Sequence, residues 1–510
     1  MSESEDIPKH HAIFVAAPFQ GHFTPAANFA VKIAARGFIV TFVTTEAFHH
    51  QRTASGAVSV DGHEVFADAR SMGLDIRYEL VSDGLPVTFD RYMHRDQFSD
   101  AFYHLLPAHV EELMRKLLLA EPPIDVLISD TFAVWPSTLA KKFGLPYVSF
   151  WTEPALVFAI YYHMHLLVEN GHFGSPTGWY TSFATNVLLR DGSIELLMFV
   201  HGDRTETRKD TITYIPGVRS IEPTDLVSFF HAPEASWRLL RNVGKAFEEV
   251  KGADFVLCNT VQELEVEVIG ALQQEWPFYA VGPIGPDSGE GGAATSLWPE
   301  LDCSKWLHSM PPRSVLYISF GSIAPVSKRD TDEIAYGVLD SKSRFIWVIR
   351  PGSGSTSEAT PPFPEGFIDA CKGRGMVVPW CRQKQVLQHP AVGGFLTHCG
   401  WNSILESMWC GVPMLCFPLF ADQPTNRKMV VEDLRIGIDV GSIGEVSRAE
   451  VSRRIDSLMG GGVGGALRKE MEEAQRAVKS AVTSCGSSSK NMEQFTVDLL
   501  KHLSEKKREQ

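Results

Sequence analysis

The sequence predicts an α/β protein of two doubly wound domains, each a parallel sheet covered by helices, facing one another across a cleft. Three observations carry this. The 510 residues exceed what one ordinary core holds and suit two domains of roughly 200 to 250 residues each. Both halves repeat short apolar strands followed by segments of helical period, the pattern of parallel strands joined by crossover helices. Between the halves lies GPIGPDSGEGGAATS, dense in Gly, Pro and Ser, which reads as a linker.

In chain order, 11–16 is an apolar strand that runs into Pro18-Phe19-Gln20-Gly21-His22. Helical period holds from Pro25 to Gly37, and a second apolar run covers 38–43. Strand, helix and strand make a βαβ unit, and ligands of such sheets collect at the carboxyl ends of the strands. His22 is therefore expected on the first loop at that edge, as a functional residue or as a loop histidine held by local hydrogen bonds. A helix is expected over 98–119, then a strand over 124–130 that ends on Asp130. That carboxylate can cap a helix over 131–143, orient a histidine, or do both, since it has several lone pairs. The strand over 147–152 ends on Thr152, whose hydroxyl can donate to a sugar hydroxyl.

Residues 154–236 are irregular and rich in rings, among them Tyr161, Tyr162, Trp179, Phe199, Phe229 and Phe230. They read either as packing or as the enclosure of an apolar ligand. A strand over 254–260 closes the first sheet. The second half opens with a strand over 315–320 and its turn Gly321-Ser322, then a strand over 345–349 and a mobile loop over 352–362. Helices are expected over 467–482 and 490–503. The boundaries follow: a first domain over 1–278, a linker over 279–300, a second domain over 301–483 and a C-terminal helix over 484–510.

Composition narrows the function. A formal net charge of −14 argues against nucleic-acid and anionic-membrane partners, which need a basic face. Eight cysteines without CxxC or zinc-ligand spacing point to a reducing compartment and no structural metal. The start, Met1-Ser2-Glu3-Ser4-Glu5-Asp6, is acidic where a secretory signal would be basic and then apolar. Together these favour the cytoplasm and no membrane span. The glycine run at 460–465 follows no apolar strand, so it is not a dinucleotide fingerprint.

The most informative stretch is Trp380 to Gln423. Residues 393–397 read as a buried strand, His398-Cys399-Gly400 as a tight turn, and an amphipathic helix opens near Asn402 and Ser403, both good N-caps. The unpaired N–H groups of a first helical turn can receive a phosphate. Around that turn stand the aromatic face of Trp380, the carboxylate of Glu406, and the pair Asp422-Gln423 after the next strand. Such an inventory suits a sugar nucleotide.

This stretch, with Phe19-Gln20-Gly21-His22 and Ile128-Ser129-Asp130, resembles the signature box and flanking motifs of plant family 1 UDP-dependent glycosyltransferases, and the resemblance covers most of the chain. It implies the GT-B fold of two Rossmann-like domains and a UDP-sugar co-substrate, glucose from UDP-glucose. It also implies a metal-independent, cytoplasmic, monomeric hexosyltransferase of secondary metabolism. The acceptor would be a hydroxyl or carboxyl of a hydrophobic small molecule. By its chemistry His22 is the candidate general base, with Asp130 on its other ring nitrogen. By resemblance Trp380 stacks on uracil, Cys381 and Gln383 meet the base and its neighbourhood, and Glu406 accepts from the ribose hydroxyls. Ser322, His398, Asn402 and Ser403 are the donors available to the diphosphate, and Thr152, Trp401, Asp422 and Gln423 the residues for the sugar. Gln423 resembles glucose users more than galactose users. One position departs: where the family often has Pro or Ser stands Arg382, which either perturbs base recognition or points to solvent. Two alternatives stay open, a transferase of another UDP-sugar such as UDP-xylose or UDP-rhamnose, and a UDP-sugar-binding protein without turnover. The presence of both His22 and Asp130 speaks against the second.

Overall fold

The computed structural model describes residues 9–58, 63–91, 93–173, 207–231, 237–285, 293, 295–322, 326–349 and 363–509. The acidic leader, the loop expected over 352–362, and Trp179 and Phe199 lie outside them.

The first sheet has seven strands: β1 (His11–Val15), β2 (Ile39–Thr45), β3 (Ile76–Val81), β4 (Val126–Asp130), β5 (Tyr147–Trp151), β6 (Phe255–Cys258) and β7 (Phe278–Ala280). Their order is β3-β2-β1-β4-β5-β6-β7. All neighbours are parallel, with His11 opposite Ile39 on one side of β1 and Ala12 opposite Val126 on the other. The second sheet has six strands: β8 (Val315–Ser319), β9 (Arg344–Val348), β10 (Gly375–Val378), β11 (Val392–Thr397), β12 (Met414–Cys416) and β13 (Gly437–Asp439). It is ordered β10-β9-β8-β11-β12-β13 and is likewise parallel. Central runs such as IVTFVTT and VLYIS are buried at every position, as strands with helices on both faces must be. In both sheets the chain winds outward from β1 or β8 and then restarts on the other side at β4 or β11. That reversal opens a crevice at the carboxyl ends.

Four sequence expectations are corrected. The first sheet closes on β7, a three-residue edge strand that takes residues 279 and 280 from the expected linker. The edge strand β3 was not expected, because its Arg77 and Glu79 break the apolar run and only its ends are buried. The helix expected over 98–119 is three pieces, Arg95–Asp100, a π-helical turn Ala101–Leu105, and Leu106–Leu118. Finally, α1 runs Gln20–Ala34 rather than starting at Pro25, so His22 sits in a first helical turn and not on a loop. Pro25 has no N–H for the Gly21 carbonyl one turn back. That carbonyl accepts instead from Asn402 Nδ2 of the second domain at 2.8 Å.

The C-terminal helix Ser487–Glu509 packs Met492, Phe495, Leu499 and Leu503 into the same core as Phe14 and Ile128 of the first domain. Burying each such side chain contributes about 1.5–3 kcal/mol. Its polar face is tied to the same domain, Ser488 Oγ donating to Gly282 O at 2.5 Å and Asn491 Nδ2 to Ala280 O at 2.8 Å. The domains also touch directly beside the cleft, where Thr425 Oγ1 donates to Asp225 O at 2.7 Å and Ala421 N–H to Ser228 Oγ at 2.7 Å.

Candidate active site

The β1–β4 crevice gathers His22, Asp130 and Thr152. His22 Nδ1 lies 2.8 Å from Asp130 Oδ2 and 3.0 Å from Thr152 Oγ1. Asp130 does not cap a helix, since the next one starts at Pro136; its Oδ1 accepts from the Phe132 N–H at 2.9 Å and fixes a turn. The His22 side chain is 15% exposed and that of Asp130 3%, so the imidazole is shielded yet reachable from one side. Burial works against a charged ring, but the charge and hydrogen bond of Asp130, and then the charge of Asp422, outweigh it and raise the His22 pKa above 6.5. With Nδ1–H given to Asp130, the lone pair is on Nε2. Rings surround this atom pair: Phe132 at 5.3 Å and Phe19 at 5.8 Å between centroids, with Phe98 5.6 Å beyond Phe19.

The β8–β11 crevice opens into a cavity of about 720 Å³ lined by Ser322, Trp380, Cys381, Gln383, His398, Asn402, Ser403 and Glu406. All eight residues expected at the nucleotide are therefore in one place. The His398 ring is wedged between two turns, and a Cβ at either Gly321 or Gly400 would come within 2.5 Å of its Nε2. Gly321 also has φ +72°, a conformation that glycine adopts freely. The helix Trp401–Cys410 begins after Gly400, and no side chain caps it. Asn402 and Ser403 are thus inside the first turn and are not the caps expected; Asn402 reaches the other domain instead. The uncapped N–H groups leave the positive end of the helix open to an anion.

Gln383 orders the inner wall, its Nε2 donating to Ser403 Oγ at 3.0 Å and to Glu406 Oε2 at 2.8 Å while its Oε1 accepts from Tyr317 Oη at 3.3 Å. Burial raises the Glu406 pKa above the usual carboxylate value, the Gln383 bond pulling the other way. Cys381 is buried. Arg382 stands at the outer edge of the same cavity, its side chain 64% exposed with Nε 3.2 Å from Glu300 Oε2.

Each of the four residues expected at the sugar has a partner within the protein. Asp422 Oδ2 accepts from Asn426 Nδ2 at 2.5 Å, and burial pushes its pKa up to about 6 against the opposing pull of Asn426 and of the His22 charge. Gln423 starts the helix Gln423–Lys428, and its Oε1 accepts from the Leu419 and Phe420 N–H groups at 2.8 and 3.1 Å. The hydroxyl of Thr152 is engaged with His22. The Trp401 indole N–H donates to Asn259 O at 2.7 Å, so its ring is buried between the domains. Among the described residues no group of three or more His, Cys, Asp or Glu could hold a metal ion, and no helix is long and apolar enough to cross a membrane.

Sequence reading missed Phe132, Tyr317, Trp298 and Glu153. Phe132 was within reach, two residues past Asp130 on the same sheet edge. Glu153 follows Thr152, and its Oε2 is buried without a hydrogen-bond partner. Burial, then the charges of Asp422 and Asp130, hold its carboxyl well above the usual range.

Residues 237–459 match the family described as UDP-glucoronosyl and UDP-glucosyl transferase. The chain is 48% identical to UDP-glycosyltransferase 86A2 of Arabidopsis thaliana over 94% of its own length and 92% of that protein. To UDP-glycosyltransferase 86A1 of the same plant it is 45% identical, over 96% and 94%. Among solved structures it is similar to Os79 from O. sativa in complex with UDP, with TM-score 0.75 and 26% identity over 96% of this chain and 100% of that one. It is equally similar to Medicago truncatula UGT71G1 complexed with UDP-glucose, with TM-score 0.75 and 25% identity over 97% and 99%. The two facing parallel-sheet domains are the GT-B fold. By identity along almost its whole length, and by a fold shared with enzymes that hold UDP and UDP-glucose, the chain belongs to the plant family 1 UDP-glycosyltransferases and is a glycosyltransferase.

Proposed function

We propose that this enzyme transfers glucose from UDP-glucose, with inversion, to a hydroxyl or carboxyl group of an apolar small molecule, with His22 as general base. The observation that carries the reading is the His22–Asp130 pair at the cleft, with Nδ1 committed and Nε2 left to take a proton. The acceptor oxygen attacks the anomeric carbon from the face opposite UDP, and its proton passes to Nε2. The bond between that carbon and the diphosphate oxygen breaks, and UDP leaves. Asp130 stabilises the imidazolium as it forms. An α-linked donor gives a β-glycoside.

The departing diphosphate is received by the open N-terminus of the helix Trp401–Cys410, the Ser322 hydroxyl and His398, donors of the kind worth a few kcal/mol in a dry site. This set supports turnover without a divalent cation. Gln423 and the likeness to an enzyme that holds UDP-glucose support glucose. Phe19, Phe98 and Phe132, each half-buried near His22, support an apolar acceptor. On this reading residues 1–278 take the acceptor and 301–483 the donor, with 279–300 between them and 484–510 returning to the first domain, in a cytoplasmic monomer.

The test is UDP release from UDP-glucose, UDP-xylose and UDP-rhamnose, with EDTA present, against phenols, flavonoids, terpenoids and hormone-like acids. Acceptor-dependent release from UDP-glucose is expected. Tight UDP binding with no release from any donor would favour the non-catalytic alternative, and release only without EDTA would overturn metal independence.

A further inference from the structure

We propose that Trp298, on the segment joining the domains, is a second aromatic wall of the uridine subsite and sets both its affinity and its preference for a small base. This rests on reading the 720 Å³ cavity as the UDP site. Trp298 and Trp380 both line that cavity, and their rings meet at 4.7 Å between centroids with 51° between planes. They form a corner. A base laid on Trp380 has Trp298 across its edge, and a flat six-membered ring fits such an angle with less hindrance than a fused purine.

The segment that carries Trp298 is built into the protein. Gln20 Nε2 donates to Thr295 O at 2.9 Å, Arg52 Nε to Ser296 O at 3.1 Å and Ser55 Oγ to Leu297 O at 2.5 Å. These ties come from the first domain. On the other side the Leu301 N–H donates to Trp380 O at 3.1 Å, next to the ring it helps place. Leu297 is buried in the first-domain core, and Ser296 Oγ donates to Trp298 O at 2.7 Å. Trp298 is thus fixed against both domains, and a ring already in place loses little freedom when a ligand arrives. The donor site is completed from outside the second domain.

The experiment is calorimetric titration of the full chain, wild type, Trp298→Ala, Trp298→Phe and Trp380→Ala, with UDP, ADP and inorganic pyrophosphate. Loss of one base–aromatic contact weakens UDP by about tenfold in Trp298→Ala. Pyrophosphate affinity is expected to stay at the wild-type value, the UDP-to-ADP affinity ratio to fall, and Trp298→Phe to recover most of the loss. If UDP weakens in Trp380→Ala but stays within about twofold, or tightens, in Trp298→Ala, the Trp298 proposal is wrong and the cavity reading stands. An equal loss of UDP and pyrophosphate would also overturn it, because the substitution would then act by loosening the domains. Wild type that binds no UDP, or a Trp380→Ala variant that binds it unchanged, would instead remove the cavity reading itself.

Discussion

The two sheets reverse at equivalent places, β1/β4 in one and β8/β11 in the other, yet the two crevices carry opposite electrostatics. Past β1 and at the end of β4 stand His22 and Asp130, with the buried Glu153 close by and Asp422 reaching in from the second domain. Past β8 and β11 stand Ser322 and His398, followed by an uncapped helix N-terminus. One crevice concentrates carboxylates around an imidazole. The other offers N–H and O–H donors, with its carboxylate Glu406 set back and tied to Gln383. Topology supplies the place, and on the proposed function the residues just beyond the strands decide whether it moves a proton or holds an anion. On that reading a chain of net charge −14 meets a diphosphate without a basic patch.

The comparison breaks most sharply at His22. In His22→Ala transfer is expected to fall by about 10²–10⁴, the usual worth of a general base, with the UDP dissociation constant unchanged. Undiminished turnover in that variant would take the base away from the first crevice. The second crevice breaks at Glu406. With Glu406 on the ribose hydroxyls, as the family resemblance implies, losing a hydrogen-bonded carboxylate there costs about 1.5–3 kcal/mol, so Glu406→Ala is expected to raise the UDP dissociation constant by roughly 10- to 100-fold. A variant that binds UDP normally but turns over slowly would mean that Glu406 serves chemistry instead of binding.

A pH profile sharpens the contrast. If His22 is the base as proposed, transfer requires its neutral form, and kcat/KM is expected to rise with pH through a His22 pKa that lies above 6.5. The same raised pKa stabilises the fold fully below the unfolded value of about 6.5, and that contribution fades as pH climbs through the folded value. On the proposed mechanism, activity is expected to rise over the same pH range in which this part of the stability is lost. Asp422 is one of the charges that raise the pKa. Asp422→Asn is expected to move the acid limb to lower pH. A limb that stays put, or moves up, would show that the second domain does not tune the base.

How much of this was legible follows the same division. Apart from Ser322, the nucleotide-side residues named from the sequence lie in one continuous stretch, where strand, glycine turn and helix start are adjacent, so their shared position at the cavity was readable. The proton crevice was readable at and just past the strand ends, at His22, Asp130 and Thr152. Pro25 misled because proline is commonest at a helix start, and nothing local says that a carbonyl it strands will be taken by Asn402 hundreds of residues on. The sequence likewise does not show that the Asn402 and Trp401 side chains also bond across the domains, to Gly21 and Asn259, because such pairings have no sequence period. Trp298 was invisible because a segment without apolar alternation reads as linker, although its backbone is bonded to both domains.

The smallest effect is expected at Arg382, the position where the sequence departs from its family. Its guanidinium is mostly exposed and holds one ion pair to Glu300, and exposed pairs contribute about 0–1 kcal/mol. Its backbone has φ −70°, already within the range that proline imposes. Cys381 before it is in a parallel bridge with Leu301, extended as a residue preceding proline prefers. Arg382→Pro therefore loses a weak surface contact and restricts only the unfolded chain, a change that stabilises by about 0.4–1 kcal/mol where the native φ fits. UDP affinity is expected within about threefold of wild type, since the most an exposed pair contributes is near a fivefold change, with thermal unfolding unchanged or slightly later. A tenfold loss of UDP affinity on calorimetry would mean that the guanidinium swings in to meet the nucleotide, and the outer rim of the donor crevice would then use charge as the first crevice does.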